Sequence, residues 1–169
     1  MNWLIIVLRL IHILFGVFWA GSIFFIVSFL LPTARAAGPA GAPFMQRFSR
    51  AGFVNAAIGS GALSSLAGFA LMSLVSSGQS SWYGSPMGIA ISIGALTALV
   101  ALGMGFFVQR PTMARMAAIA VAIEQNGGAP TTEQSAEMPL LQAKMATVAR
   151  TAAWLLAVTV VCMAVARYL

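Results

Sequence analysis

The feature that most constrains this chain is a set of four long apolar runs, at roughly residues 3–31, 51–75, 86–109 and 147–168. A helix that crosses the hydrocarbon core of a bilayer needs about 20 mostly apolar residues. Only 7% of the residues are charged, whereas soluble domains carry about 25%. We therefore predict an all-α integral membrane four-helix bundle with four spans and a single domain, residues 1–169.

The basic residues are distributed unequally among the connections between these spans. Seven of the nine lie between spans one and two, between spans three and four, or at the start of span four, whereas the connection SSGQSSWYGSP has none. The seven are Arg35, Arg47, Arg50, Arg110, Arg115, Lys144 and Arg150. Because basic loops stay in the cytoplasm, we predict an up-down-up-down topology with both termini periplasmic. The net charge of +6 then marks topology and contact with anionic lipid, and no nucleic-acid partner is predicted.

Both cytoplasmic connections are predicted to contain helix. In FMQRFSR, Phe44 and Phe48 would face lipid while Arg47 and Arg50 face water, as in an interfacial helix. After span three, TMARMAAIAVAIEQ is rich in strong helix formers, and NGGAPTT follows as a turn. We therefore predict a cytoplasmic helical hairpin between spans three and four.

The stretch RLIHILFGVFWAG in span one holds the only histidine of the chain, His12, together with Arg9. On a helix, Arg9, Gly16 and Trp19 all fall within about 60° of His12. An ionisable residue inside a span indicates a functional site and is expected to face the bundle interior. One stripe of span one thus combines an imidazole, a guanidinium, an indole and a glycine, which has no side chain.

This stripe is compatible with a haem site. Imidazole is a common axial ligand of haem iron, and we predict His12 as the ligand of a haem b. Gly16 would leave a gap for the ring, Trp19 would wall it, and Arg9 would pair with a propionate. The alternative is a structural role, in which His12 hydrogen-bonds a serine or carbonyl of a neighbouring helix, Gly16 packs against a helix and Arg9 extends to the interface.

A second axial ligand is not determined by the sequence. Met163 on span four and Met72 on span two are the candidates in the same half of the membrane, since methionine ligates haem in some cytochromes. A five-coordinate iron, or ligation across a dimer, is an equal alternative. With one histidine, a bis-histidine haem within one protomer is impossible.

The sequence RLIHILFGVFWAGSIFFIVSFLLP resembles the first span of a group of small four-helix bacterial membrane proteins. The group includes copper-resistance-D-like proteins, HemJ-type protoporphyrinogen oxidases and uncharacterised relatives, and the ending CMAVARYL resembles the uncharacterised branch. The shared elements are a histidine, a tryptophan seven residues later and a glycine, here His12, Trp19 and Gly21. The resemblance implies the bacterial inner membrane as the location and His12 as an iron ligand. This chain lacks the arginine-containing LPRLF-like stretch and further histidine of the oxidases.

Three functions remain open at this point. The first is a b-type haem protein acting in electron transfer, haem handling or small-gas binding. The second is a structural or accessory membrane subunit without a cofactor, and the third is an enzyme related to protoporphyrinogen oxidation. No catalytic residue is predicted, because the chain has no aspartate and its three glutamates lie in the cytoplasmic hairpin. The small-residue faces of spans two and three predict a homodimer or larger homo-oligomer, and a redox partner is not identified.

Overall fold

The chain is helical throughout the part that the structure covers. The structure, a computed structural model, describes residues 3–169, with all side chains except those of Pro39, Ala42 and Ser49. These residues form helices and turns without any β-strand. The α-helices are α1 (Trp3–Phe25), α2 (Leu31–Ala36), α3 (Gly41–Arg50), α4 (Phe53–Ser76), α5 (Pro86–Met104), α6 (Arg110–Gln125) and α7 (Thr132–Val165). The predicted all-α class is confirmed, and residues 1 and 2 of the predicted domain lie outside the described residues.

Four continuous helical segments are long and apolar enough to cross a membrane. They are Trp3–Ala36, Phe53–Ser76, Pro86–Gln125 and Thr132–Tyr168. Each of the four predicted spans falls on one of these segments, although the second helix begins at Phe53 and not at residue 51. Their length and composition indicate a membrane protein.

In two of these segments a π-helical turn precedes an internal proline. A π-helical turn, Ile26–Leu30, precedes Pro32, and a second one, Gly105–Gln109, precedes Pro111. A proline ring clashes with the carbonyl four residues earlier and has no N–H to donate, so a wider turn beside it gives the ring room. Because the helix does not end at Pro111, α6 extends beyond the predicted third span.

Helices α6 and α7 form a hairpin that is fastened by polar contacts. The helix α7 begins with a capping box: the Thr131 hydroxyl accepts from the Gln134 N–H at 3.2 Å, and the Gln134 side chain accepts from the Thr131 N–H at 2.9 Å. Arg115 on α6 donates two hydrogen bonds of 2.7 Å to the Glu137 carboxylate on α7. The helical hairpin predicted after span three is therefore present.

The helices pack mainly as two pairs, α1 with α4 and α5 with α7. A cluster of buried residues joins the two pairs, and small side chains dominate it: Trp19, Ala20, Ile23, Ala57, Ala101, Ala152, Ala153 and Leu156. Large apolar side chains point outward instead, for example Phe107 at 76% and Trp154 at 77% exposure. Small residues inside and large apolar residues outside are typical of helices packed in lipid.

Candidate functional site

His12 is held against α4 by hydrogen bonds to one residue, Ser64. The imidazole Nδ1 lies 2.8 Å from the Ser64 backbone oxygen. In return the Ser64 hydroxyl donates to the His12 backbone oxygen at 2.8 Å, and it lies 3.3 Å from Nδ1. Since a backbone carbonyl only accepts, the Nδ1–Ser64 contact is a hydrogen bond when Nδ1 carries the proton. The pair therefore fixes both the orientation of the ring and its tautomer.

The other ring nitrogen of His12, Nε2, makes no hydrogen bond to residues 3–169. His12 is half-buried, and no fully buried side-chain nitrogen or oxygen among the described residues lacks a hydrogen-bond partner. Nε2 therefore reaches the surface of the chain. With Nδ1 protonated, Nε2 carries a lone pair that can accept a proton or bind a metal.

The space beside the His12 ring exists because residue 68 is a glycine. A Cβ placed at Gly68 would lie 2.9 Å from both Cε1 and Nδ1 of His12. Such a separation is far below van der Waals contact, so any larger residue would displace the imidazole. Gly68 thus allows α4 to approach the edge of the ring.

Gly16 faces Ser64 and not an open space. A Cβ placed at Gly16 would lie 3.0 Å from the Ser64 hydroxyl oxygen. Close backbone approach at glycine is the usual way in which membrane helices pack. The gap that the sequence predicted for a porphyrin is therefore taken up by α4.

Trp19 is buried at the same interface, with 7% of its surface exposed. A Cβ at Gly61 would lie 2.8 Å from the indole atoms Cδ2 and Cε2, so the indole lies on the glycine backbone. Its neighbours in the core come from the other helix pair as well, including Ala153 and Leu156 of α7. The indole of Trp19 therefore contributes to the packing of the whole bundle.

Arg9 differs from the three other residues of the predicted stripe. Its side chain is exposed, and it makes no ion pair with a carboxylate of residues 3–169. The structure thus brings His12, Gly16 and Trp19 to the interface with α4 and leaves Arg9 at the surface, one turn from His12. Arg9 remains available to an anionic group outside the chain.

The two candidate methionine ligands occupy different surroundings. Met72 lies one turn beyond Gly68 on α4 and is half-buried. Met163 belongs to the other helix pair: its methyl carbon lies 3.1 Å from the position that a Cβ would take at Gly94. Within the described residues no three His, Cys, Asp or Glu side chains come together as a metal site.

A second polar contact fastens the other helix pair. The hydroxyls of Thr97 on α5 and Thr159 on α7 lie 2.9 Å apart, and both are within 3.2 Å of the Gly94 backbone oxygen. Both hydroxyls therefore have partners inside the chain. This contact has the character of an interhelical fastening, because neither hydroxyl needs a ligand to be satisfied.

Arg115 and Glu137 of the hairpin shift each other's pKa. The hydrogen bonds from Arg115 lower the pKa of the Glu137 carboxyl below its ordinary value, and the same contact raises the pKa of Arg115. Arg115 is exposed and Glu137 is half-buried on the surface of the hairpin, so the pair stabilises the hairpin. The site around His12 is thus the one chemically distinctive arrangement that we find in the described residues.

Sequence reasoning did not identify Ser64 and Gly68 as partners of His12. The signal was present as a stripe of small residues on span two, at three- and four-residue spacing: Gly61, Ser64, Ser65 and Gly68. Such a stripe predicts close helix packing, but it does not specify which helix packs there.

Comparison of the chain with protein-family models, with curated proteins and with solved structures found no match.

Proposed function

We propose that this chain is a multi-pass protein of the bacterial cytoplasmic membrane that binds haem b through Nε2 of His12. In this proposal the four helices form an up-down-up-down bundle with both termini periplasmic and the α6–α7 hairpin in the cytoplasm. His12 then lies about 14 Å from the periplasmic end of α1. The haem would supply electron transfer or binding of a small gas, or would itself be the cargo.

The observation that carries the proposal is the hydrogen bond from Nδ1 of His12 to the Ser64 carbonyl. Histidines that ligate metals commonly donate their other ring N–H to a carbonyl or carboxylate, which fixes the tautomer and makes the free nitrogen a better ligand. The His12–Ser64 pair has this arrangement, with Nε2 unbonded within the described chain. A guanidinium one turn away, that of Arg9, provides the positive charge that a propionate requires.

The structure limits where a haem ring can lie. A ring across Gly16 would have to displace α4, because Ser64 fills that position. Trp19 is likewise packed on Gly61. A ring bound at Nε2 therefore fits only on the open side of the α1–α4 pair, where the imidazole reaches the surface. His12 and Arg9 would bind it, and Gly16 and Trp19 would act by holding α1 against α4.

Such an open site favours a homo-oligomer. A ring bound there would be covered on one side by α1 and α4 and on the other by lipid or by a second copy of the chain. A second copy would also bring its own His12 and Met72, and so could supply the sixth ligand that one chain does not determine. We therefore propose a homodimer as the simplest assembly.

A second candidate function is that of a structural or accessory subunit without a cofactor. The contacts of Gly16 with Ser64 and of Trp19 with Gly61 favour it, because two of the four residues of the stripe are packed against α4. In this case the His12–Ser64 pair is an interhelical fastening comparable to Thr97–Thr159.

An absorption spectrum distinguishes the two candidates. The protein, produced with ample haem and purified in mild detergent, should show a Soret band, and the His12→Ala variant should lack it. Arg9→Ala should weaken haem retention without removing ligation. The control is Arg167→Ala, at the other end of the chain, which should leave haem retention unchanged. A colourless wild-type protein that takes up no haem on titration would establish the structural role instead.

A further inference from the structure

The structure contains an apolar groove at the end of the first long helix, far from His12. It has a volume of about 320 Å³. Its lining comes from the end of α1, the π turn, α2, the connection that follows α2, and α3: Phe25, Phe29, Leu30, Thr33, Ala34, Ala37, Ala40, Gly41 and Phe44. Thr33 carries the only side-chain polar group of this lining. The volume lies within the range of about 300–1,000 Å³ that is typical of small-molecule sites.

The groove exists because α3 folds back closely on α2. Gly41 is buried, and a Cβ there would overlap the backbone oxygen of Ala34. The close approach turns α3 so that Phe44 faces the ring pair formed by Phe25 and Phe29, whose centroids lie 6.1 Å apart. The large side chains form the walls and the alanines leave the floor open.

Two exposed arginines lie close in the chain to residues that line the groove. Arg35 follows the lining residue Ala34 on α2, and Arg47 lies one turn after the lining residue Phe44 on α3. Both arginines are exposed, and neither has a carboxylate of residues 3–169 within 4 Å. The nearest basic neighbour, Arg50, has one: its guanidinium lies 3.9 Å from the carboxylate of Glu124.

We propose that this groove binds one acyl chain of an anionic phospholipid, whose headgroup phosphate is bound by Arg35 and Arg47. An apolar slot accepts a hydrocarbon chain, and guanidinium groups at its mouth bind phosphate in a planar, bidentate manner. The helix α3, which carries the stacked rings of Phe44 and Phe48 together with the exposed Arg47 and Arg50, is of the kind that lies in a membrane interface. The inference depends on membrane insertion and is independent of haem.

Native mass spectrometry of the full chain, released from nanodiscs of equal phosphatidylglycerol and phosphatidylcholine with matched acyl chains, tests the proposal. The wild-type protein should retain phosphatidylglycerol preferentially. The double variant Arg35→Gln/Arg47→Gln should retain it at least about fivefold less. The matched control Arg110→Gln/Lys144→Gln removes the same charge from the same side of the chain and should leave retention unchanged.

A pair of apolar variants tests the groove itself. Ala37→Phe should fill the floor and reduce retention, whereas Ala36→Phe, on the adjacent residue outside the lining, should not. Equal retention of the two lipids by the wild type, equal losses in both double variants, or no effect of Ala37→Phe would each overturn the proposal. Circular dichroism of every variant is the control that distinguishes reduced lipid retention from a loss of helix.

Discussion

His12 and Ser64 form a reciprocal pair in which each residue bonds the other's backbone. The histidine Nδ1 lies 2.8 Å from the Ser64 carbonyl oxygen, and the serine hydroxyl donates to the His12 carbonyl oxygen at 2.8 Å. The His12 carbonyl oxygen also accepts a backbone hydrogen bond within α1. The bond from the Ser64 hydroxyl is therefore additional and does not replace a hydrogen bond of the helix. A substitution of Ser64 can therefore remove the bond made by its hydroxyl and leave in place the carbonyl that contacts His12 Nδ1.

The shorter contact of His12 Nδ1 is with the Ser64 carbonyl oxygen at 2.8 Å, whereas the Ser64 hydroxyl lies 3.3 Å away. We expect Ser64→Ala to retain haem, because the backbone carbonyl that accepts from Nδ1 remains. The variant should lose about 0.6 kcal/mol of stability, the average for an interhelical hydrogen bond in a membrane protein. Unfolding in mixed micelles measures this loss, with Ser65→Ala as the control on the adjacent residue. A complete loss of the Soret band in Ser64→Ala would contradict the role assigned to the carbonyl.

Gly68 is the residue whose substitution should disturb His12 most directly. In Gly68→Ala the new methyl group would lie 2.9 Å from Cε1 and Nδ1 of the ring, so the Nδ1 hydrogen bond must lengthen. We expect a stability loss of about 1–3 kcal/mol, as for overpacking elsewhere, together with weaker haem retention. Gly59→Ala on the same helix is the matched control, since its Cβ would meet no described atom within 4 Å. Equal behaviour of the two variants would argue against the contact.

Gly61 should control the environment of Trp19. A methyl group in Gly61→Ala would lie 2.8 Å from the indole, which must then move out of the core. We expect a red shift in the fluorescence contribution of Trp19, obtained by subtracting the spectrum of the same protein with Trp19→Phe. Gly103→Ala, where the Cβ position is free of described atoms within 4 Å, should leave the emission unchanged.

The hairpin should lose stability in acid through Glu137. Because Arg115 lowers the folded-state pKa of this carboxyl from 4.5, the contact stabilises the hairpin fully above about pH 4.5. This contribution is lost as the pH falls through the lowered folded-state pKa. After correction for the intrinsic slowing of amide exchange in acid, the protection of α6 and the first turns of α7 should therefore fall as the pH drops below about 4.5. Glu137→Gln should exchange faster at pH 6 and show little of this dependence; a wild-type pH dependence in that variant would assign it to other groups.

Cysteine labelling tests the proposed topology. In a Cys162→Ser background, an impermeant thiol reagent added outside intact cells should modify a cysteine at residue 80 and not one at residue 130. Both positions are exposed in the structure, so a difference in labelling reports the side of the membrane. Labelling at residue 130 alone would show that the chain has the opposite topology.

The amino-acid sequence alone was sufficient to predict the four helices and the hairpin. Hydropathy and helix propensity are local properties: a run such as residues 86–109 buries its backbone polar groups only by becoming helical. The same local signals predicted the amphipathic character of α3 from Phe44, Arg47 and their neighbours. The π turns before Pro32 and Pro111 allow the helices to continue past residues 31 and 109, where the spans were predicted to end.

The partners of His12, Gly16 and Trp19 were decided by the tertiary structure. The helical periodicity of α1 places these residues on one face. From the sequence alone, that face fits a haem ring and a neighbouring helix equally well. Small residues such as Ser64 and Gly68 favour close approach without specifying the helix that approaches. Only the packing of α4 along α1 closes the gap at Gly16 and leaves Nε2 of His12 at the surface, because contacts between distant segments depend on the whole bundle.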